Sequence, residues 1–107
     1  MAYDEDLANR IREQLADHDT VTEKRMFGGL AFLVDGRMAV AASRTGGLMV
    51  RVDPAESDNL VEADGVERMV MRGREMDGWL LVDAERVAGD GELAAWVGRG
   101  VAAARAA

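Results

Sequence analysis

The chain has 107 residues, no cysteine, one histidine, 49% hydrophobic and 31% charged residues and a net charge of −7, so it is expected to form one domain around a single modest core. The missing cysteines exclude disulfides, thiolate nucleophiles and Cys-based metal centres. A pI near 4.6 argues against nucleic-acid binding through bulk positive charge.

Asp4 is a plausible N-cap for a first helix, with Glu5 and Asp6 at the positive end of its dipole. Leu7, Ile11 and Leu15 recur every four residues on one face, and Tyr3 is placed to fold back on Leu7. The helix is expected to end near Asp17-His18. Lys24 to Val34 reads as one extended run, and Gly28-Gly29 inside it predicts a bulge or corner. Asp35-Gly36 is a strong hairpin signal, leading into Arg37 to Ser43. A second turn near Thr45-Gly46-Gly47 precedes Leu48 to Val52 and completes a three-stranded meander.

Asp53-Pro54-Ala55-Glu56 is a compact helix start: Asp53 caps, Pro54 fits the first position, and Glu56 can close a capping box. Gly65 is read as the stop of this short helix. Val66 to Arg72 and Trp79 to Val82 are two further strands around a turn-rich Gly73 to Gly78. Asp83 is a candidate cap for one helical turn ending at Gly89. Asp90 begins the last helix, whose Leu93, Trp96, Val97, Val101 and Ala104 form an apolar stripe. Gly100 lies on that stripe, where a missing side chain permits close approach of a neighbouring element. The expected fold is α+β, two layers, with helices over a mainly antiparallel five-stranded sheet in the order α-β-β-β-α-β-β-α.

Candidate chemistry is sparse. His18 is the only histidine, at the end of the first helix, so nucleophile–histidine relays and His-based metal sites lack material. Neither Ser43 nor Ser57 sits in a nucleophile elbow. Asp53, Glu56, Asp58, Glu62 and Asp64 lack the spacing of a calcium loop and read as a solvated face. No glycine pair follows a phosphate-loop pattern. No cofactor, metal or catalytic residue is therefore expected, and the chain is not expected to be an enzyme. An acidic amino terminus and the lack of an apolar run of ~20 residues make the expected location cytoplasmic, with no membrane partner.

Two features point beyond packing. Residues 22–52 carry two acids and five bases, net +3, between acidic flanks. Within and beyond this stretch Lys24, Arg25, Arg72 and Arg74 flank strands that are possible neighbours, and they are the candidate anion or nucleic-acid contact. Cross-strand pairing with the surplus acids is the ordinary alternative. Six of the seven methionines lie between residues 26 and 76, and methionine both fills cores and lines adaptable binding surfaces. In Leu48 to Val52, alternation separates Leu48, Val50 and Val52 from Met49 and Arg51, a mixed face suited to a partner. For Val66 to Arg72 either face remains a candidate for the core.

The order Lys24-Arg25-Met26-Phe27-Gly28-Gly29, Leu30 to Val34, Asp35-Gly36, Asp53-Pro54, Met76-x-Gly78-Trp79 and a final helix around Trp96 resembles the N-terminal domain of the TfoX/Sxy family of bacterial proteins over nearly the whole chain. The resemblance implies a stand-alone single domain, residues 1–107, with a secretion-chaperone-like two-layer fold. It implies structural roles for Met26, Phe27, Gly28, Gly29, Gly78 and Trp79. The best-known members regulate natural competence and carry a second domain. The expected function is thus a non-enzymatic regulatory or protein-interaction domain, a homodimer, with Met49 and Arg51 on its contact face. The alternative is a small-ligand or nucleic-acid binder using Lys24, Arg25, Arg72 and Arg74.

Overall fold

In a computed structural model, which describes residues 3–18, 20–26 and 28–106, Asp4 opens the first helix, α1 (Glu5–Gln14). Its carboxylate accepts from the backbone N–H groups of Asp6 (2.9 Å) and Leu7 (3.2 Å), satisfying donors that a helix start leaves orphaned. The helix ends at Leu15, earlier than its periodicity predicts, and residues 15–17 continue as turns. Tyr3, Leu7, Ala8, Ile11 and Leu15 all pack on the core.

Six strands follow: β1 (Val21–Met26), β2 (Gly29–Val34), β3 (Arg37–Ala42), β4 (Leu48–Arg51), β5 (Val66–Met71) and β6 (Arg74–Val82). They form one antiparallel sheet ordered β1-β2-β3-β4-β6-β5. The expected five-stranded sheet is corrected to six strands among the described residues. The run from Lys24 to Val34 is not one bulged strand. Met26 pairs with Gly29, so β1 and β2 are joined by a two-residue connection that contains Gly28 at φ +77°. That positive φ favours a tight hairpin over a corner. The next connection, Asp35-Gly36, has both φ values positive, as its sequence predicts.

The bulge lies one strand further on. Phe32 pairs with Val40 while Leu33 pairs with Met38, so Ala39 is an extra residue in β3 and both Ala39 and Val40 join the helix-side core. Arg72 and Gly73, both at positive φ, turn β5 into β6. The segment expected to be turn-rich therefore belongs largely to β6, with an irregular register between Arg68 and Val70.

Helix α2 (Pro54–Leu60) is capped by the Asp53 carboxylate on the Ala55 N–H at 3.0 Å. A 3-10 turn at Ala84–Val87 follows β6, without a side-chain hydrogen bond from Asp83. The long α3 (Asp90–Ala106) buries Leu93, Trp96, Val97, Gly100, Val101 and Ala104. At Gly100 an added Cβ would lie 2.5 Å from the Ala39 carbonyl oxygen, so the helix backbone approaches the β3 bulge as closely as it does because no side chain intervenes. Arg10 of α1 ties the layer together, donating from Nη2 to the Val87 and Ala88 carbonyls (2.9 and 3.0 Å) and to Asp90 Oδ1 (3.1 Å).

Candidate functional site: the open sheet face

The two faces of the sheet differ. Leu30, Phe32, Val34, Val40, Ala42, Leu48, Val50, Val52, Leu80 and Val82 point at the helices and make the main core. The other face carries a separate apolar cluster made of strand residues alone. Ala31, Ala41 and Met49 are buried in it, and Met26, Leu33, Met38, Met69 and Trp79 are packed around them, partly exposed. Among the described residues no helix residue belongs to this cluster.

The cluster has a floor and walls. Register sets Lys24, Ala31, Ala41, Met49, Leu81 and Glu67 side by side across the six strands. Alanines on the two strands β2 and β3 leave a trough, and longer methionines rise beside it. The result is a cavity of about 190 Å³ lined by Met26, Met38, Met49 and Met69, by Ala41 and Leu81, and at one end by Ser43, Arg44 and Thr45. The Ser43 and Thr45 hydroxyls are 3.0 Å apart. Arg44 forms no ion pair among the described residues.

On the same face Arg51 stacks on Trp79, its guanidinium carbon 4.7 Å from the ring centroid, while its Nε donates to the Met38 carbonyl at 2.8 Å. This gives the guanidinium both a π face and a backbone acceptor. Met49 is 6% exposed and Arg51 is half-buried beside it, so alternation in β4 was a sound guide to which residues share this face.

The four basic residues do not converge. β1 is one edge of the sheet and the turn from β5 to β6, with Arg72 in it and Arg74 after it, lies at the other side, which places Lys24 and Arg25 roughly 19–24 Å away at ordinary strand spacing. Lys24 lies opposite Ala31 and Arg25 opposite Leu30, so even these neighbours project to different faces. A single basic patch made of all four is therefore corrected to separate exposed cations. The acids of residues 53–64 are also accounted for in part: Asp53 caps α2 and Asp58 pairs with Arg68. Among the described residues no three His, Cys, Asp or Glu side chains are grouped to hold a metal ion. Half-buried His18 accepts from Arg105 Nη2 through Nδ1 at 3.1 Å, linking the chain after α1 to the end of α3.

The TfoX N-terminal domain matches residues 13–104. The chain belongs to the TfoX N-terminal domain family. Neither a curated protein nor a solved structure matches it. In this TfoX N-terminal domain the motif residues fall at turns and on the open face. Met26 lines the cavity, and Gly28 and Gly29 make the first hairpin. Phe27 lies outside the described residues. Gly78, at φ +86°, sits beneath Pro54, where a Cβ would come within 3.3 Å of the ring, and Trp79 carries Arg51. Residues that sequence reasoning did not single out as a site are Ala31, Ala41 and Arg44, whereas Met38 was among the six methionines it raised. The signal of the two alanines was small residues at core-like strand positions, which marks a hollow only once the neighbours' lengths are known.

Proposed function

We propose that this TfoX N-terminal domain is a regulatory protein-interaction domain, not an enzyme, and that it works through the helix-free face of its sheet. The supporting observation is the second apolar cluster, which has strand residues beneath it and no helix above it. Apolar faces of this kind are commonly used for partners. Membership of the TfoX N-terminal domain family supports a role resembling that of the corresponding domain of competence regulators, in the cytoplasm. The helices-on-one-face arrangement is also compatible with a secretion-chaperone-like fold, which remains an analogy of architecture.

A second copy of the chain is the partner that the charges favour. Lys24 stands at the β1 edge of the open face and Glu67 at the β5 edge of the same row. Docking two copies face to face about a two-fold axis along the strands brings each Lys24 over the other copy's Glu67, with the methionines between them. Light scattering on an eluting column tests this. The expected mass is twice 11.5 kDa, Met38→Glu should yield the single-chain mass, and Lys24→Glu should weaken association that Lys24→Glu with Glu67→Lys restores. A single-chain mass for the unaltered protein at high micromolar concentration would remove the dimer. Failure of the double exchange to restore association would remove this orientation.

The runner-up, a small-ligand or nucleic-acid binder using Lys24, Arg25, Arg72 and Arg74, loses support from their separation toward opposite sides of the sheet. Salt-sensitive amide shifts at all four on titration with single-stranded RNA or DNA would reinstate it.

A further inference from the structure

We propose that the methionine-walled cavity binds a small amphipathic carboxylate, a straight chain of about six to eight carbons whose head group is held by Arg44. The inference rests on reading the open sheet face as the working surface, and it names a ligand for one end of it.

Size sets the first limit. The cavity measures about 190 Å³. An engineered apolar void of roughly 150 Å³ holds a benzene ring, so this one has room for a few atoms more. It is smaller than the cavities of roughly 300–1,000 Å³ that take drug-sized molecules. The lining sets the second. Met26, Met38, Met49, Met69 and Leu81 stand over Ala41, and unbranched thioethers adapt their rotamers to a flexible chain where branched residues would resist. An alkyl chain fits such walls without leaving a polar atom unpaired.

The rim decides the head group. The polar side chains of the lining are Ser43, Arg44 and Thr45, together at one end. Arg44 lacks an ion pair among the described residues, although the chain carries 20 acids against 13 bases. Its aliphatic stem crosses Gly28, where an added Cβ would lie 2.8 Å from Cδ, so the guanidinium is led to the rim by the first hairpin. A planar fork whose donors meet no acceptor among the described residues matches a carboxylate in two parallel hydrogen bonds. The two hydroxyls, 3.0 Å apart and hydrogen-bonded to each other, leave one O–H free to donate beside it.

Octanoate is the probe, with the methionine methyl groups isotopically labelled and the protein kept dilute enough to be monomeric. Saturable shifts are expected at the cavity methionines, with a dissociation constant on the order of 0.1–1 mM for so few atoms. Affinity should rise about fourfold for each methylene from butanoate to octanoate and level off beyond it. Octanol should bind at least about fivefold more weakly, and Arg44→Met should abolish that preference while leaving octanol binding in place. Arg44 is exposed, so this variant is expected to fold. The proposal is overturned if octanoate gives no saturable shift by about 10 mM, if octanol binds as well, or if Arg44→Met keeps the preference. Those outcomes are read from methyl shifts and leave the mass measurement on the second copy standing, and a single-chain mass likewise leaves this test intact.

Discussion

Arg51 lies over the Trp79 ring, joining β4 to β6, and its Nε donates to the Met38 carbonyl on β3. One side chain thus bridges three strands on the face that has no helix. Cation–π stacking at a partly exposed site contributes about 0.5–1 kcal/mol, and a hydrogen bond from a charged donor adds a comparable amount. Arg51→Met, which keeps the apolar stem, should lower unfolding stability by about 1–2 kcal/mol in urea titration. Arg51→Lys should recover little of it, because an ammonium cannot stack and donate with the same planar geometry.

The two glycines in the middle of α3 should respond in opposite directions. Gly98 has open space where a Cβ would go, whereas at Gly100 the Cβ would meet the Ala39 carbonyl oxygen at 2.5 Å and Val40 Cγ1 at 2.7 Å. Gly98→Ala is expected to stabilise by about 0.5–1 kcal/mol through helix propensity alone. Gly100→Ala is expected to destabilise by about 1–3 kcal/mol, since the helix must move off the bulge in β3. Thermal unfolding of the pair checks both signs, and equal shifts would contradict the close approach.

Arg12 and Glu23 join α1 to β1 in a two-pronged ion pair, Nε to Oε2 at 2.7 Å and Nη2 to Oε1 at 2.8 Å. The hydrogen bond from Arg12 holds the Glu23 carboxyl below its ordinary value, against a smaller opposing effect of burial. The same bond raises the Arg12 guanidinium. A depressed carboxyl contributes stability that is fully present above its unfolded value, near 4.3, and is lost as pH falls through the lower folded value. The raised guanidinium contributes below its own unfolded value and loses that contribution only in strong alkali. With side chains 42% and 37% exposed, screening keeps the whole effect under about 1 kcal/mol. Glu23→Gln should therefore cost less than that at neutral pH and should flatten the acid limb of stability below about pH 4.

A third glycine test concerns the first hairpin. At Gly29 a Cβ would lie 2.3 Å from the Ala42 carbonyl oxygen, a backbone atom of the neighbouring strand that cannot swing aside. Gly29→Ala should destabilise by about 2 kcal/mol or more. Gly36→Ala, with nothing near its Cβ but φ at +83°, should cost only about 1 kcal/mol of backbone strain. Chemical denaturation of both separates crowding from strain.

Much of the architecture could be read in advance, because caps and two-residue turns are written in adjacent residues. Asp4, Asp53-Pro54 and Asp35-Gly36 act locally, and each does in the structure what its neighbours imply. The hairpin at Gly28 was missed because a glycine pair inside an extended run suits a bulge as well as a reversal of direction, and only pairing of Met26 with Gly29 decides between them. The length of β6 was missed for the opposite reason, since Arg74 to Gly78 has little apolar patterning and is held by its partners. The site was half legible. Alternation separated Met49 and Arg51 from their neighbours, whereas the gathering of Met26, Met38 and Met69 around one cavity depends on strand order, which no local pattern encodes. The same strand order scatters Lys24 and Arg25 from Arg72 and Arg74.

Strand order also has a consequence for how the chain reaches this state. Every neighbouring pair in the sheet is closed by a short connection except one. β4 meets β6 across the stretch that holds α2 and β5, and the seam runs from Leu48 opposite Val82 to Arg51 opposite Trp79. A four-stranded meander and a separate hairpin can thus each form from nearby contacts, while their union carries the larger loop-closure entropy. Zipping that seam should therefore be slower than forming either piece, and the Arg51–Trp79 stack closes its far end.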